Sequence, residues 1–356
     1  MKAAVFHRPG DIRLEEVPEP EAGSDGLVVE VAAASVCGTD LRVCRHGHFR
    51  IPDGVHRILG HEIVGRVVEV GAGAGSYRVG DRLSFAPNIG CGDCRFCRLG
   101  LNNMCPDYEA LGVTIDGAFA ERMRVPGIAI QRGNVFRVPE SVSDAAAALT
   151  EPLSCCLRGQ DALQISPEDS VVVVGTGPIG VFHILLARLA GAKRIIAANK
   201  GVARLGLAGE SGADVLVDVD REDLAEVVSR ETSGRGADVV ITCVSNAAVQ
   251  SAAVDLLATH GRVNFFAGLG GGAKAMIDTN RVHYKGLVLT GTTGSANSDY
   301  ERALALVAAG RINPEPLVSR VFRLADALAA FDHAASGEGM KPMILPGLPS
   351  DSSAPA

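Results

Sequence analysis

The chain is 356 residues long, 47% apolar and 21% charged, the balance of a soluble globular protein with room for two cored domains. Lys and Arg number 34 against 41 Asp and Glu, a net charge of −7, which argues against a nucleic-acid partner because phosphate contact needs a basic face. No apolar run approaches a bilayer crossing, and the opening MKAAVFHRPGDIRLEEV alternates like a strand and lacks a signal-length apolar core, so no membrane partner is expected.

Residues 1 to about 150 read as β-rich. MKAAVF, LVVEVAAA (27–34), IVGRVVEVGA (63–72), DRLSFAP (81–87) and AFAERMRVP (118–126) are short β-branched runs separated by Gly, Pro or Asp, the pattern of a small, irregular, barrel-like domain. Within it stand three residues able to share a metal. Cys37 in VCGTD ends a predicted strand, and His61 and Glu62 sit in LGHEIVG. With Glu151 of LTEPLSCC, at the expected domain junction, they make a mixed thiolate, imidazole and carboxylate set that can leave a coordination position open for substrate. Each alone has an ordinary reading, a small buried Cys or a satisfied His; the case is their joint occurrence.

Cys91, Cys94, Cys97 and Cys105 follow in CGDCRFCRLGLNNMC, with gaps of two, two and seven residues. That spacing brings four thiolates to one point within one loop, the closed tetrahedral shell of a structural zinc at about 2.3 Å from each sulfur. Disulfides or a chance cluster are the alternatives, disfavoured because nothing else in the chain looks secreted; nine cysteines, four spent on one metal, suit a reducing cytoplasm.

DAAAALTEPLSCCLRGQDAL (144–163) reads as one helix leading out of the first domain. From 170 the rhythm becomes strand, helix, strand: SVVVVG (170–175), a helix PIGVFHILLARLAGA (178–192), then strands RIIAAN (194–199), DVLVD (214–218), DVVITCV (238–244), RVNFFAG (262–268) and LVLTGT (287–292). This predicts an α/β doubly wound parallel sheet. Two helices, SDYERALALVAAG and LADALAAFDHAAS, flank a short strand LVSRVF after 293, and the tail PGLPSDSSAPA (346–356) is expected to be disordered. The expected domains are 1–155 for the zinc sites, 156–292 for the dinucleotide, and 293–345 returning to the first.

Gly175-Thr176-Gly177-Pro178-Ile179-Gly180 follows a strong strand and opens a helix, the context in which this glycine spacing is specific for a dinucleotide. One glycine serves the tight turn, one the approach of pyrophosphate, one the close packing of helix on strand, and the helix start attracts phosphate. Val244, Gly268 and Thr292, near later strand ends, complete the candidate cofactor contacts. The second strand ends in Asn199, with Lys200 next and Arg204 one turn on. A carboxylate there would repel the 2′-phosphate of NADP; Asn does not and Lys200 can pair with it. NADP is therefore favoured, while Asn199 can equally reach a ribose hydroxyl of NAD. Arg204 reads as well as a solvated helix start.

These motifs together, GHEIVGRVVEVGAGA (60–74), VGDRL (79–83), CGTD (37–40), the four-cysteine loop and GTGPIG, resemble the zinc-dependent medium-chain dehydrogenases of the alcohol and polyol dehydrogenase family, over residues 1 to about 345. The chain is most similar to the sorbitol and threonine dehydrogenase branch. The resemblance implies a GroES-like catalytic domain, a Rossmann domain and a C-terminal return, with two zinc ions per chain and a homodimer or homotetramer. Cys37, His61 and Glu62 would be zinc ligands, and Glu151 a ligand or the holder of the zinc water. Thr39 would pass the substrate proton outward; its ordinary reading is a helix N-cap, and both roles can hold.

The chemistry that follows is interconversion of a secondary alcohol of a polyol, sugar or cyclitol and its ketone: zinc lowers the pKa of the hydroxyl and the carbon gives hydride to nicotinamide, or in reverse zinc polarises the carbonyl. Many family members end the proton relay in a His five residues after the catalytic Cys, where this chain has Arg42, which does not deprotonate; His46, His48 or water must substitute. The loop from Cys37 to His61 holds Arg42, Arg45, Arg50 and Arg57 with His46, His48 and His56, partly offset by Asp40 and Asp53. It reads either as a grip on an anionic substrate such as a sugar phosphate or as a solvated or subunit-contact surface. Aromatic content of 4% without Trp suits a polyhydroxylated substrate. An amino-alcohol dehydrogenase of threonine or aminocyclitol type, and a non-catalytic nucleotide-binding relative, are the competing readings; the intact candidate ligands disfavour the latter and a zinc-free quinone-reductase relative.

Overall fold

The computed structural model describes residues 1–349. They form two compact units, Met1–Ser154 with Gly294 onward, and Cys155–Thr293. The tail expected to be disordered lies outside the described residues from 350 on; its first part, 346–349, makes a turn after the last strand.

The first unit is built on Leu27–Ser35, LVVEVAAAS, buried at every position but Glu30 and Ala32. So long an apolar strand can be paired on both sides. Glu62–Val70 lies antiparallel on one flank, and Arg122–Val125 and Lys341–Leu345 share the other, each antiparallel. Arg82–Phe85 and Val135–Arg137 extend one edge, and Val318–Arg323 the other. A smaller sheet joins Lys2–Arg8 to Asp11–Glu16 and Arg57–Ile58. Phe85, Phe119, Leu83, Ile63 and Leu111 fill the interior between them. The strand Lys341–Leu345 was not among the expected elements. KPMIL is short and contains Pro, which removes a ladder donor, yet its carbonyl at Pro342 still accepts from Val36 N at 3.3 Å.

The helix expected over 144–163 is two, Asp144–Ala148 and Thr150–Asp161. Pro152 has no N–H to offer the carbonyl of Ala148, so the helical ladder is interrupted there.

The second unit is a six-stranded, wholly parallel sheet. Its order is Val215–Asp218, Arg194–Asn199, Ser170–Val174, Ala237–Thr242, Leu257–Phe265, Val288–Gly291. Ser170–Val174 is buried throughout, as its unbroken Val run requires in a sheet covered on both faces. Chain order reverses beside this strand, so its C-terminal end opens on the crevice where such sheets bind ligands. The fifth strand begins at Leu257, five residues before the expected start, because His260 takes a left-handed φ of +60° and lets the strand continue through Gly261. No helix among the described residues is long and apolar enough to cross a membrane.

Candidate active site

The strand Leu27–Ser35 delivers Cys37, and its neighbour Glu62–Val70 begins opposite it, Ser35 pairing with Glu62. Three donors of different kinds meet there: one ligand atom each of Cys37, His61 and Glu62, all within 4.8 Å of one another. His61 and Glu62 are buried and Cys37 is partly exposed, so the group has a wet side.

A carboxylate that the sequence offered only as a charge offsetting the loop arginines stands behind this group. Asp40 is 1% exposed. One of its oxygens accepts Cys37 N–H at 2.9 Å; the other lies 3.4 Å from both Gly60 N and His61 Nδ1. Burial opposes a charged imidazole at His61, but Asp40 and Cys37 outweigh it and raise its proton affinity well above the ordinary value. A pocket that draws a proton between sulfur and carboxylate also draws a divalent cation, and the mixed sulfur, nitrogen and oxygen donors fit zinc.

Lys341 was also invisible as a site residue. It is 4% exposed and Glu62 is wholly buried. Its Nζ donates to both Glu62 oxygens, at 2.6 Å to Oε2, and lies 3.4 Å from Val36 O. Burial pushes its pKa down, but the negative charges of Glu62, Cys37 and Glu151 raise it on balance, so the ammonium stays charged. Glu151 is buried at the start of the helix Thr150–Asp161 and is not one of the three residues in the tight group.

Thr39 is not the helix cap. The helix Gly38–His46 is capped at Cys37, because Asp40 takes the Cys37 N–H and draws Gly38 and Thr39 into the first turn. Thr39 Oγ1 instead accepts from Arg42 at 3.4 Å. Two of the four loop arginines are committed elsewhere. Arg50 donates to the carbonyls of Tyr108 and Pro106 at 2.8 and 2.5 Å and lies over the Tyr108 ring, and Arg57 pairs with Asp116 at 2.9 Å. Arg42 and Arg45 remain exposed. His48 Nδ1 accepts Arg50 N–H; burial and the charges of Arg42 and Arg50 keep its pKa below the ordinary value. His46 is exposed, and His56 is bonded to His7 at 3.1 Å.

The sulfurs of Cys91, Cys94, Cys97 and Cys105 likewise lie within 4.8 Å of one another, and all are free thiols. Backbone N–H groups point at three of them: Cys94 N at Cys91, Cys97 N at Cys94, and Cys91 N at Cys105, at 3.4 to 3.5 Å. The Cys97 N–H lowers the Cys94 pKa to about 7, whereas without a metal the Cys91 thiol, bonded to Asp93, is pushed up to about 12 and burial raises that of Cys97. Such N–H···S contacts favour thiolates, the form that binds metal. The loop is latched by asparagines: Asn102 donates to Asn88 O and to Asn297 Oδ1, and Asn297 N donates back to Asn102.

In the second unit Gly175 turns with φ +97°. A Cβ on Gly180 would stand 1.9 Å from Gly175 O, so no other residue lets the helix Pro178–Leu189 come this close. Pro178 and Ile179 are its first two residues, and the capping residue is Gly177. Asn199 accepts Thr176 N–H and donates to the carbonyls of Lys200 and Gly201. The Arg204 guanidinium lies 3.3 Å from where a Gly177 Cβ would stand, and Val244 packs on Gly175. Gly268 O accepts from Ser245, and Thr292 lies 3.5 Å from Asn264 Nδ2. The turn, a half-buried cation and three later strand ends thus share the C-terminal edge of one parallel sheet, a lining that fits a dinucleotide.

Residues 23–136 match the alcohol dehydrogenase GroES-like domain family and residues 178–309 the zinc-binding dehydrogenase family. The chain is 32% identical over 352 residues to a sorbitol dehydrogenase of Halalkalibacterium halodurans, covering 97% of this chain and 99% of that one. It is 31% identical over 347 residues to an L-threonine 3-dehydrogenase of Shewanella woodyi, covering 96% and 98%. A zinc-binding dehydrogenase of Sinorhizobium meliloti, solved with NADP, superposes with a TM-score of 0.90 at 33% identity over 97% of this chain and 99% of that one. The protein is an NAD(P)-dependent alcohol oxidoreductase that uses zinc and acts on a small hydroxylated molecule. With its GroES-like and Rossmann parts, the chain belongs to the zinc-dependent medium-chain dehydrogenases, in the branch of the sorbitol and threonine dehydrogenases.

Proposed function

We propose that the protein oxidises a secondary hydroxyl of a polyol, sugar or cyclitol to the ketone, with NADP preferred over NAD. The observation that carries the site assignment is the meeting of Cys37, His61 and Glu62 within 4.8 Å at adjoining strand ends, apart from a second group made only of sulfur. In this reading Cys37 and His61 hold the catalytic zinc, Glu62 and Glu151 are the carboxylates available to it, and the four cysteines hold a second, structural zinc. Zinc held there would supply Lewis acidity to the substrate oxygen, and a nicotinamide cofactor held at the Gly175–Gly180 turn would serve as hydride acceptor.

The chain's own residues do the rest. Asp40 orients His61 and neutralises part of its charge. Thr39 Oγ1 accepts from Arg42 through one lone pair and keeps the other to receive the substrate hydroxyl proton, passing its own proton outward. Arg42 cannot take a proton onward, so it leaves to water or to His46 or His48. Arg50 and Arg57 are spent on the fold, which weakens a phosphate grip and favours an uncharged polyol. For the cofactor, Asn199 puts no carboxylate against a 2′-phosphate, and Arg204 beside Gly177 with exposed Lys200 supplies positive charge. The NADP carried by the Sinorhizobium relative agrees. Residues 1–155 and 293–345 serve as the catalytic domain and 156–292 as the cofactor domain. The exposed edge strand Val288–Gly291, with Tyr284 and Met276 exposed near it in the chain, supports a homo-oligomer, because such edges are normally covered. Nine free cysteines support a reducing, cytoplasmic setting.

The test is a panel of polyols, sugar phosphates and amino alcohols, each with NAD and with NADP, followed by absorbance of the reduced cofactor. A neutral polyol should give the highest kcat/KM. A panel led by threonine or an aminocyclitol would replace the substrate reading, and a tenfold preference for NAD would replace the cofactor reading.

A further inference from the structure

Nothing in the reaction as outlined requires a lysine beneath the metal centre, yet one is there. Lys341 and Glu62 are both buried, on the two strands that flank Leu27–Ser35 on opposite sides. An ammonium has three donors. Here two meet the two oxygens of Glu62 and the third faces Val36 O, one residue before Cys37. The lysine is pinned by its strand, which pairs with Leu27–Ser35 on one side and Val318–Arg323 on the other. Glu62 is therefore shared between a fixed cation and the candidate metal position.

We propose that Lys341 is a positioning residue for the metal centre: it competes with zinc for the Glu62 carboxylate and keeps Glu62 a weak, exchangeable ligand. This rests on the reading that Cys37 and His61 hold zinc. Zinc with one thiolate and one unpaired carboxylate carries no net charge, whereas Lys341 on that carboxylate restores one positive charge to polarise a substrate oxygen. A carboxylate held back by an ammonium also yields its coordination position more readily to substrate.

The experiment compares the wild-type holoenzyme with Lys341→Met, Lys341→Arg and Glu62→Gln. Three readouts are taken: zinc content, the rate of zinc release to a chelator, and the electronic spectrum of the cobalt-substituted enzyme. The four-cysteine loop contributes the same bands to every variant. In Lys341→Met the freed carboxylate closes on the metal. Release should slow about tenfold or more, the cobalt bands should weaken towards a higher coordination number, and kcat should fall. Lys341→Arg should restore wild-type release to within about twofold, since it keeps the cation. A folded Lys341→Met with wild-type release and spectrum overturns the proposal. Should that variant not fold, Glu62→Gln decides: retention of the metal with a near-wild-type spectrum supports a weak ligand, and loss of the metal overturns it. If the wild type itself binds metal only at the four cysteines, it is the underlying site assignment that has failed.

Discussion

His61 Nδ1 lies 3.4 Å from a carboxylate oxygen of Asp40, and the other oxygen of the same carboxylate accepts the Cys37 N–H at 2.9 Å. One buried side chain thus aims two of the candidate metal ligands, a supporting contact of the kind that tunes metal sites. Asp40→Asn keeps the shape and one acceptor but removes the charge behind His61. Zinc affinity should fall roughly 10–100-fold, measured by competition with a chromophoric chelator. Unchanged affinity would reduce Asp40 to a helix cap.

Cys37→Ala removes the one sulfur from the mixed group and leaves the four-cysteine loop intact. Zinc should fall from two ions per chain to one. Turnover should drop about a thousandfold or more because the electrophile is lost. Binding of reduced cofactor, followed by its fluorescence, should be nearly unchanged, since the glycine turn belongs to the other unit. Retained turnover would mean that zinc is not the electrophile.

Gly90 stands where a Cβ would lie 2.6 Å from Cys97 Sγ and 3.0 Å from Asn102 Cβ. Gly90→Ala should therefore push the sulfur out of its place and strain the latch to Asn297. Overpacking of this kind costs about 1–3 kcal/mol. Loss of the structural zinc should add to it. Melting should show a lower Tm, and metal analysis one zinc where the wild type has two, with the mixed site still loaded. An alanine variant that keeps both ions would show that the loop tolerates the shift.

Arg204 carries the cofactor preference. Its guanidinium lies against Gly177, and burial lowers its pKa without reaching a range where it would lose its charge. A charged hydrogen bond to a phosphate contributes about 1.5–3 kcal/mol, so Arg204→Ala should raise the KM for NADP by roughly 10–150-fold and leave that for NAD within about twofold. Equal loss with both cofactors would place Arg204 on the pyrophosphate or in the fold.

Much of the architecture was legible because local chemistry and long-range structure agree. The Val run of Ser170–Val174 can only be a doubly covered strand, and the glycines after it serve one turn. The four cysteines lie within fifteen residues, so spacing alone brings them together. Cys37, His61 and Glu62 were harder, since twenty-four residues separate the first from the second; only their company identified them. The loop arginines left two readings open, for a sequence shows their charge and hides the carbonyls of Pro106 and Tyr108 and the carboxylate of Asp116 that engage two of them.

Lys341 marks the boundary between the two kinds of information. Ligand types, the glycine turn and the two metal patterns follow from residue identity and short-range spacing, which the unfolded chain already carries. That a lysine near the C-terminus is buried against Glu62, 279 residues away, follows only when Lys341–Leu345 joins the sheet beside Leu27–Ser35. A lysine in a short segment is ordinarily solvated; pairing of distant strands alone removes its water and leaves a carboxylate as its partner.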